Sequence, residues 1–121
     1  MRVLVVDDDV RILRFIRLSL RLAGYTVTTA ASGEEALELF KSEPADIVVL
    51  DLLLPVMDGF TVLRELRAFS RVPVIAVSAH ASAAGEALKL GANEFVCKPF
   101  NPEELLKSIG NLLQGGDKQP S

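Results

Sequence analysis

The chain has 121 residues, half of them apolar and about a quarter charged, with a net charge of −3. One domain of that size buries its own core without staples, and a single cysteine, Cys97, excludes an intrachain disulfide and points to a reducing, cytoplasmic setting. The mild acidity argues against direct nucleic-acid binding by this domain, and no apolar stretch nears the ~18 residues of a membrane span.

Short apolar runs alternate with helical patterns. The first run, residues 3–6, is too short for a signal peptide and leads into three acids, so it reads as a strand. A helical pattern follows over residues 10–23, closed by Gly24. Residues 25–29 form a second, more polar run that suits an edge strand. Ser32 with Glu35 three residues on has capping-box spacing and opens a second helix. Residues 47–50 are a third strand, and a third helix follows Gly59 and ends near Phe69. Residues 74–77 are a fourth strand. A short fourth helix is expected over residues 82–90, stopped by Gly91 and weakened by Gly85 within it. Residues 95–97 are the fifth strand. Asn101 then serves as N-cap of the last helix, with Pro102 at its first position and Glu104 at its third. Five βα units with nearly continuous apolar strands imply an α/β fold, a parallel sheet covered on both faces. The domain is drawn at residues 1–114, and the glycine-rich residues 115–121 read as a linker or flexible tail.

Ligands of open α/β sheets bind outside the carboxyl ends of the strands. Here those ends carry Asp7, Asp8 and Asp9, then Asp51, then Ser78, then Lys98 followed by Pro99. Clustered carboxylates repel one another, and a divalent cation relieves that cost. All-oxygen donors favour a hard ion, and Mg²⁺ typically binds one or two carboxylates plus a phosphate. A carboxylate is itself a competent phosphoryl acceptor. Asp9 fits an N-cap better than a third ligand. Asp58-Gly59 reads as a turn signal, His80 as a rim side chain, and Cys97 as a small packing residue. Arg11, Arg14, Arg17 and Arg21 recur at helical spacing along the first helix, as a solvated face does.

These residues carry a family resemblance. Val5-Val6-Asp7-Asp8, Asp51 with Pro55-Val56-Met57-Asp58-Gly59, Val77-Ser78-Ala79 and Lys98-Pro99-Phe100 resemble, in order, the motifs of the receiver domain of bacterial two-component response regulators. The likeness covers about residues 1–113. It implies the doubly wound, flavodoxin-like (βα)5 fold with strand order 2-1-3-4-5; CheY, a member of this family, is the standing example of that order. It makes Asp51 the phosphoacceptor, Asp8 the direct Mg²⁺ ligand, Asp7 its water-mediated companion, and Leu53 a backbone-carbonyl ligand. Lys98 would pair with phosphoryl oxygens, Ser78 would close onto the phosphoryl group, and Phe95 would turn inward with it. It also implies a cis Lys98–Pro99 bond. The partners it implies are a sensor histidine kinase or histidine phosphotransfer protein, which in the family often meets the first helix, and a downstream effector. A phosphorylation-dependent dimer is a further state open to it. Such a domain catalyses only its own phosphorylation and dephosphorylation.

Two departures stand out. The stretch between Ser78 and Lys98 is shorter than is usual in the family. The last helix, with Leu106-Lys107-Ser108-Ile109-Gly110-Asn111, lacks the arginine expected of winged-helix regulators that dimerise through this face. Three rivals fit less well. An interaction module that is never phosphorylated has no need of the full acid and lysine set. An aspartate-nucleophile phosphohydrolase commonly carries a second aspartate where this chain has Leu53. A dinucleotide enzyme requires a Gly-x-Gly-x-x-Gly turn after the first strand, which is lacking.

Overall fold

The structure is a computed structural model, and it describes residues 1–118, with side chains to residue 114. Five strands, β1 (Arg2–Val6), β2 (Thr26–Ala30), β3 (Ile47–Asp51), β4 (Val74–Ser78) and β5 (Glu94–Cys97), alternate with α1 (Val10–Leu22), α2 (Gly33–Ser42), α3 (Gly59–Arg67), α4 (Ala84–Lys89) and α5 (Pro102–Lys118). All pairings are parallel, in the order β2-β1-β3-β4-β5. The polar strand β2 lies at an edge, where its three threonines meet partial exposure rather than a second neighbour.

Strand alternation divides the core in two. Val3, Val5, Ile47, Val49, Ile75, Val77 and Val96 pack under Leu13, Ile16 and Leu20 of α1 and Leu105 and Ile109 of α5. Leu4, Val6, Val48, Leu50, Val74 and Ala76 pack under α2, α3 and Ala87 of α4, with Phe95 half-buried among them. The doubly wound sandwich thus follows from period-2 strands that are apolar on both faces.

The helix starts follow local chemistry. Asp9 caps α1 by accepting from the Arg11 and Ile12 N–H groups at 2.9 and 3.4 Å. Ser32 accepts from Glu35 N–H at 3.2 Å, while the Glu35 carboxylate reaches back to Ala31 N–H rather than to the cap itself. Asn101 and Glu104 exchange reciprocal bonds at the start of α5. Asp58, read from sequence as a turn signal, is the N-cap of α3 and accepts from Thr61 N–H at 2.9 Å.

Two elements differ from expectation. The single helix expected over residues 82–90 opens as a 3-10 turn, Ala81–Ala83, and becomes α-helical only over six residues. Neither piece has a side-chain cap, so nothing local fixes a full α-turn at His80. Helix α5 also continues to Lys118, past the domain boundary expected at residue 114; the remainder of the expected tail, residues 119–121, lies outside the described residues.

Candidate phosphoryl-acceptor site

Three strands bring charge to one rim. The alternation that sends Val3 and Val5 toward α1 continues to Asp7, and the same alternation sends Ile47 and Val49, then Asp51, to that side. Lys98 follows Val96 with the same parity. Lys98 Nζ consequently lies 3.2 Å from Asp7 Oδ2 and 3.2 Å from Asp51 Oδ2, although 91 and 47 residues separate them in sequence. The Lys98–Pro99 bond is cis, and Lys98 N–H donates to Ser78 O at 2.8 Å.

Carboxylate oxygens of Asp7, Asp8 and Asp51 all lie within 4.8 Å of one another. Asp7 and Asp51 are buried, whereas Asp8 is exposed. Asp7 Oδ1 accepts from Asp9 N–H at 2.9 Å, and Asp51 Oδ1 from Leu53 N–H at 3.0 Å. These bonds turn the free oxygens of both residues toward Lys98. Asp9 is outside the cluster and serves as the cap, as its sequence position indicated.

Burial pushes the Asp51 carboxyl above the usual carboxylate range. The Leu53 N–H opposes this, the charge of Asp7 adds to it, and Lys98 opposes it again. Burial alone would lower Lys98, but Asp51 and then Asp7 outweigh it and raise its pKa. Lys98 pairs with Asp7 and Asp51 but not with Asp8, so three clustered carboxylates meet one ammonium, a formal excess of two negative charges at the rim. The oxygen-only donor set and that excess match one hard divalent cation, so the residues present fit Mg²⁺.

The acids floor a cleft of about 480 Å³, walled by Ile12, Leu53, Leu54, Pro55 and Ala79. Beside it, Ile12, Phe15, Ile16, Ala79, Pro99 and Phe100 line a more apolar cleft of about 380 Å³ that shares Lys98 with the first. Sequence reading did not anticipate this second cleft, since its walls come from α1 and from the segment after β5. Val56, at the apex of the loop between β3 and α3, is fully exposed with φ 65°, a left-handed conformation that a β-branched residue resists.

The remaining sequence candidates are placed less directly. Ser78 is buried at the end of β4, and its hydroxyl accepts from His80 N–H at 3.0 Å instead of touching Asp51. Phe95 sits opposite Ala76 in the β4–β5 register. Leu53 is 70% exposed beside the acids. His80 and Cys97 are exposed, and the thiol is held only by long contacts to Ala79 O and Lys98 O.

The response regulator receiver domain model matches residues 3–110. A probable transcriptional regulator, ycf27, of Porphyridium aerugineum is 43% identical over 99% of this chain, and the alignment covers 51% of that protein. The transcriptional regulatory protein BaeR of Escherichia coli is 33% identical over 93% of the chain and 48% of its own length. The chain thus spans about half the length of these curated relatives. Among solved structures, the Francisella response regulator 1452 receiver domain superposes with a TM-score of 0.89 at 35% identity, covering 95% of this chain and 98% of that one. Vibrio cholerae CheY4 superposes with a TM-score of 0.84 at 34% identity, covering 91% and 96%. A match across nearly the whole domain, joined to an acid-and-lysine rim at the strand ends, makes this chain a member of the response regulator receiver domain family.

Proposed function

We propose that Asp51 accepts a phosphoryl group from a histidine kinase or a histidine phosphotransfer protein and that the resulting aspartyl phosphate drives a conformational output. The observation that carries this reading is the buried Asp51 carboxylate, bonded to Lys98 at 3.2 Å and clustered with Asp7 and Asp8 at the mouth of an open cleft. In the transfer, one Asp51 oxygen attacks phosphorus, an O–P bond forms, the donor's N–P bond breaks, and the imidazole leaves with the electron pair. Hydrolysis later breaks the O–P bond through attack of water on phosphorus. Such transfers depend on positioning and on neutralising charge at the phosphoryl oxygens.

Asp8 would be the direct ligand for Mg²⁺, with Asp51 and the Leu53 carbonyl, and Asp7 would act through water. The bound ion supplies charge neutralisation at the phosphoryl oxygens. Lys98 stands ready to follow a phosphoryl oxygen once the Asp51 carboxylate becomes an acyl phosphate. Ser78 accepts from His80 N–H, which leaves its hydroxyl hydrogen to donate to the phosphoryl group, and Phe95, one strand away, would repack as it does so. The half-buried position of Phe95 over the α4 side of the core supports this.

The donor surface is placed at α1 and the apolar cleft. Phe15, Leu18 and Leu22 are 55%, 60% and 81% exposed along α1, and Phe15 also walls that cleft. The face of α4, β5 and α5 is the proposed output surface, handed on to an effector.

The test is direct. Incubation with acetyl phosphate and Mg²⁺ should add one hydroxylamine-labile phosphoryl group, read by intact mass. Undiminished labelling of Asp51→Asn would refute the assignment.

A further inference from the structure

Arg67, the last residue of α3, makes an arrangement that the phosphoryl chemistry does not use. Its Nε and Nη2 both donate to Gly91 O, at 3.1 and 2.9 Å. Nη2 also reaches Asn93 Oδ1 at 3.1 Å, and Nη1 reaches Ser70 O at 3.2 Å. Asn93 Oδ1 accepts in addition from Val74 N–H at 2.8 Å, and Asn93 N–H donates to Val74 O at 2.8 Å. Gly91 has φ 113°, and a Cβ there would run into the Arg67 side chain at 2.9 to 3.1 Å. The guanidinium therefore fills the hollow under the turn that ends α4. Among the described residues it has no carboxylate partner, so its donors are spent on holding backbone and one amide in place.

The other end of α4 is held very differently. The 3-10 turn before it and α4 itself lack side-chain caps, Ala87 is its one buried side chain, and Gly85 lies in it with open space where a Cβ would stand. Its connection to the site runs through Ser78, Ala79 and His80. Helix α3 links the two regions as a strut. Its first residue, Gly59, donates to Leu52 O at 3.0 Å beside Asp51, and its last grips the far end of α4.

We propose that Arg67 is a positioning residue that pins the C-terminal end of α4, so that the response to phosphorylation is a pivot of the segment from residue 79 to residue 89 about a fixed point at Gly91–Asn93. This rests on the phosphoacceptor reading of Asp51 for its trigger, but the pin itself is a property of the unmodified protein. A guanidinium is suited to the role because its planar fork reaches three acceptors at once, which an ammonium cannot reproduce.

The experiment is residue-resolved amide hydrogen exchange on wild type, Arg67→Met and Arg67→Lys, each with and without Mg²⁺ and beryllofluoride, with fluorine NMR reporting mimic binding separately. In wild type the mimic should change protection over residues 79–89 and leave Gly91, Ala92 and Asn93 as they were. In both variants those three amides should exchange on the order of tenfold faster even without the mimic, a local opening, while β3 and β4 keep their relative protection. With the mimic, the responsive segment should extend through residue 93. The lysine variant keeps the charge and carries the test if the methionine variant does not fold.

Three results would overturn the pin: wild-type rates at residues 91–93 in the variants, a wild-type response that already includes them, or a uniform rise across β4 and β5 that marks a merely stabilising role. If no protein binds the mimic, the phosphoacceptor reading falls, and the unliganded exchange at residues 91–93 alone decides for or against the pin.

Discussion

Gly59 offers a severe test of how closely α3 is fitted to the acceptor strand. It is buried at the first turn of α3, directly behind Asp58, and its N–H donates to Leu52 O. A Cβ built there falls under 3.0 Å from both the Asp51 carbonyl oxygen and Leu52 Cα. Both are backbone atoms, so no rotamer change relieves the clash. Either α3 lifts or the backbone of residues 51–52 shifts. Overpacking of this kind costs about 1–3 kcal/mol. With an unfolding entropy of about 2.1 cal/mol/K per residue, roughly 240 cal/mol/K here, each kcal/mol moves Tm by about 4 °C. Gly59→Ala should therefore lower Tm by roughly 4–12 °C.

The same displacement moves the Asp51 carboxylate against Lys98, and misplacement approaching 1 Å can cost ~100-fold in rate. Labelling by acetyl phosphate should fall in parallel with Tm. Gly85→Ala is the matched control. Nothing lies within 4 Å of a Cβ there, so replacing a mid-helix glycine should raise stability by about 0.5–1 kcal/mol. Differential scanning calorimetry and timed labelling of the two variants decide the matter. A Gly59→Ala protein that melts within 1 °C or so of wild type and labels at the wild-type rate would refute the packing argument.

Other consequences are as definite. Because burial raises the Asp51 pKa in the folded state, that group favours folding below the unfolded-state carboxylate value, and the contribution is lost as pH rises through the raised folded value. Metal-free thermal melts should show this decline, and Asp51→Asn should flatten it; an unchanged pH profile in the variant contradicts the assignment. Asp9→Ala should cost about 1 kcal/mol through loss of the α1 cap and leave Mg²⁺ affinity within about twofold, measured by denaturant melts and titration calorimetry. Asp8→Asn should weaken Mg²⁺ binding more than Asp7→Asn, because Asp7 is already engaged by Lys98 and Asp9 N–H whereas Asp8 is exposed; the reverse order would reassign the direct ligand. Val56→Asn should add about 1 kcal/mol by easing a left-handed backbone at a fully exposed site, which a urea midpoint would register.

The strands and the acid rim were legible because each rests on a local signal, whereas the strand order came only with the family resemblance. Apolar runs of four or five residues with both parities buried mark strands covered on two faces, and the charges that follow the first, third and fifth runs mark the rim. Ser32, Asn101 and Asp9 announced helix starts by side-chain chemistry that acts within three residues. What escaped the sequence depends on distant backbone. Arg67 finds its acceptors 3 to 26 residues away, and the two at Gly91 and Asn93 exist only once α4 and β5 are docked. The apolar cleft beside the acids needs α1 and Pro99-Phe100 brought together. The 3-10 opening of α4 reflects an absent cap, and an alanine-rich sequence reads as helix whether or not its first turn is fixed.

The energetics of switching follow from how the unmodified state is held. Moving a two-state element from 1:99 to 99:1 needs about 5.5 kcal/mol of differential stabilisation. A charge-assisted hydrogen bond from Ser78, whose hydroxyl already accepts from His80 N–H, contributes ~1.5–3 kcal/mol. Lys98 adds little that is new, because its ammonium already holds Asp7 and Asp51 at 3.2 Å before any phosphoryl group arrives. The surplus must come from charge: two uncompensated negative charges at the rim become more when a phosphoryl group is added, and a divalent cation held by Asp7, Asp8 and Asp51 would turn that burden into attraction. A serine hydroxyl alone thus suffices only for an element that is already close to balance. Helix α4 has the features such an element requires: it is six residues long, uncapped at its start, carries Gly85 within it, and is anchored at its far end by Arg67. On the proposed switch reading, a helix held so lightly at the end nearest Ser78 needs only a small bias to move, and the expected outcome is microsecond-to-millisecond exchange over residues 79–89 of the unphosphorylated domain, measured by relaxation-dispersion NMR; flat profiles there would contradict it.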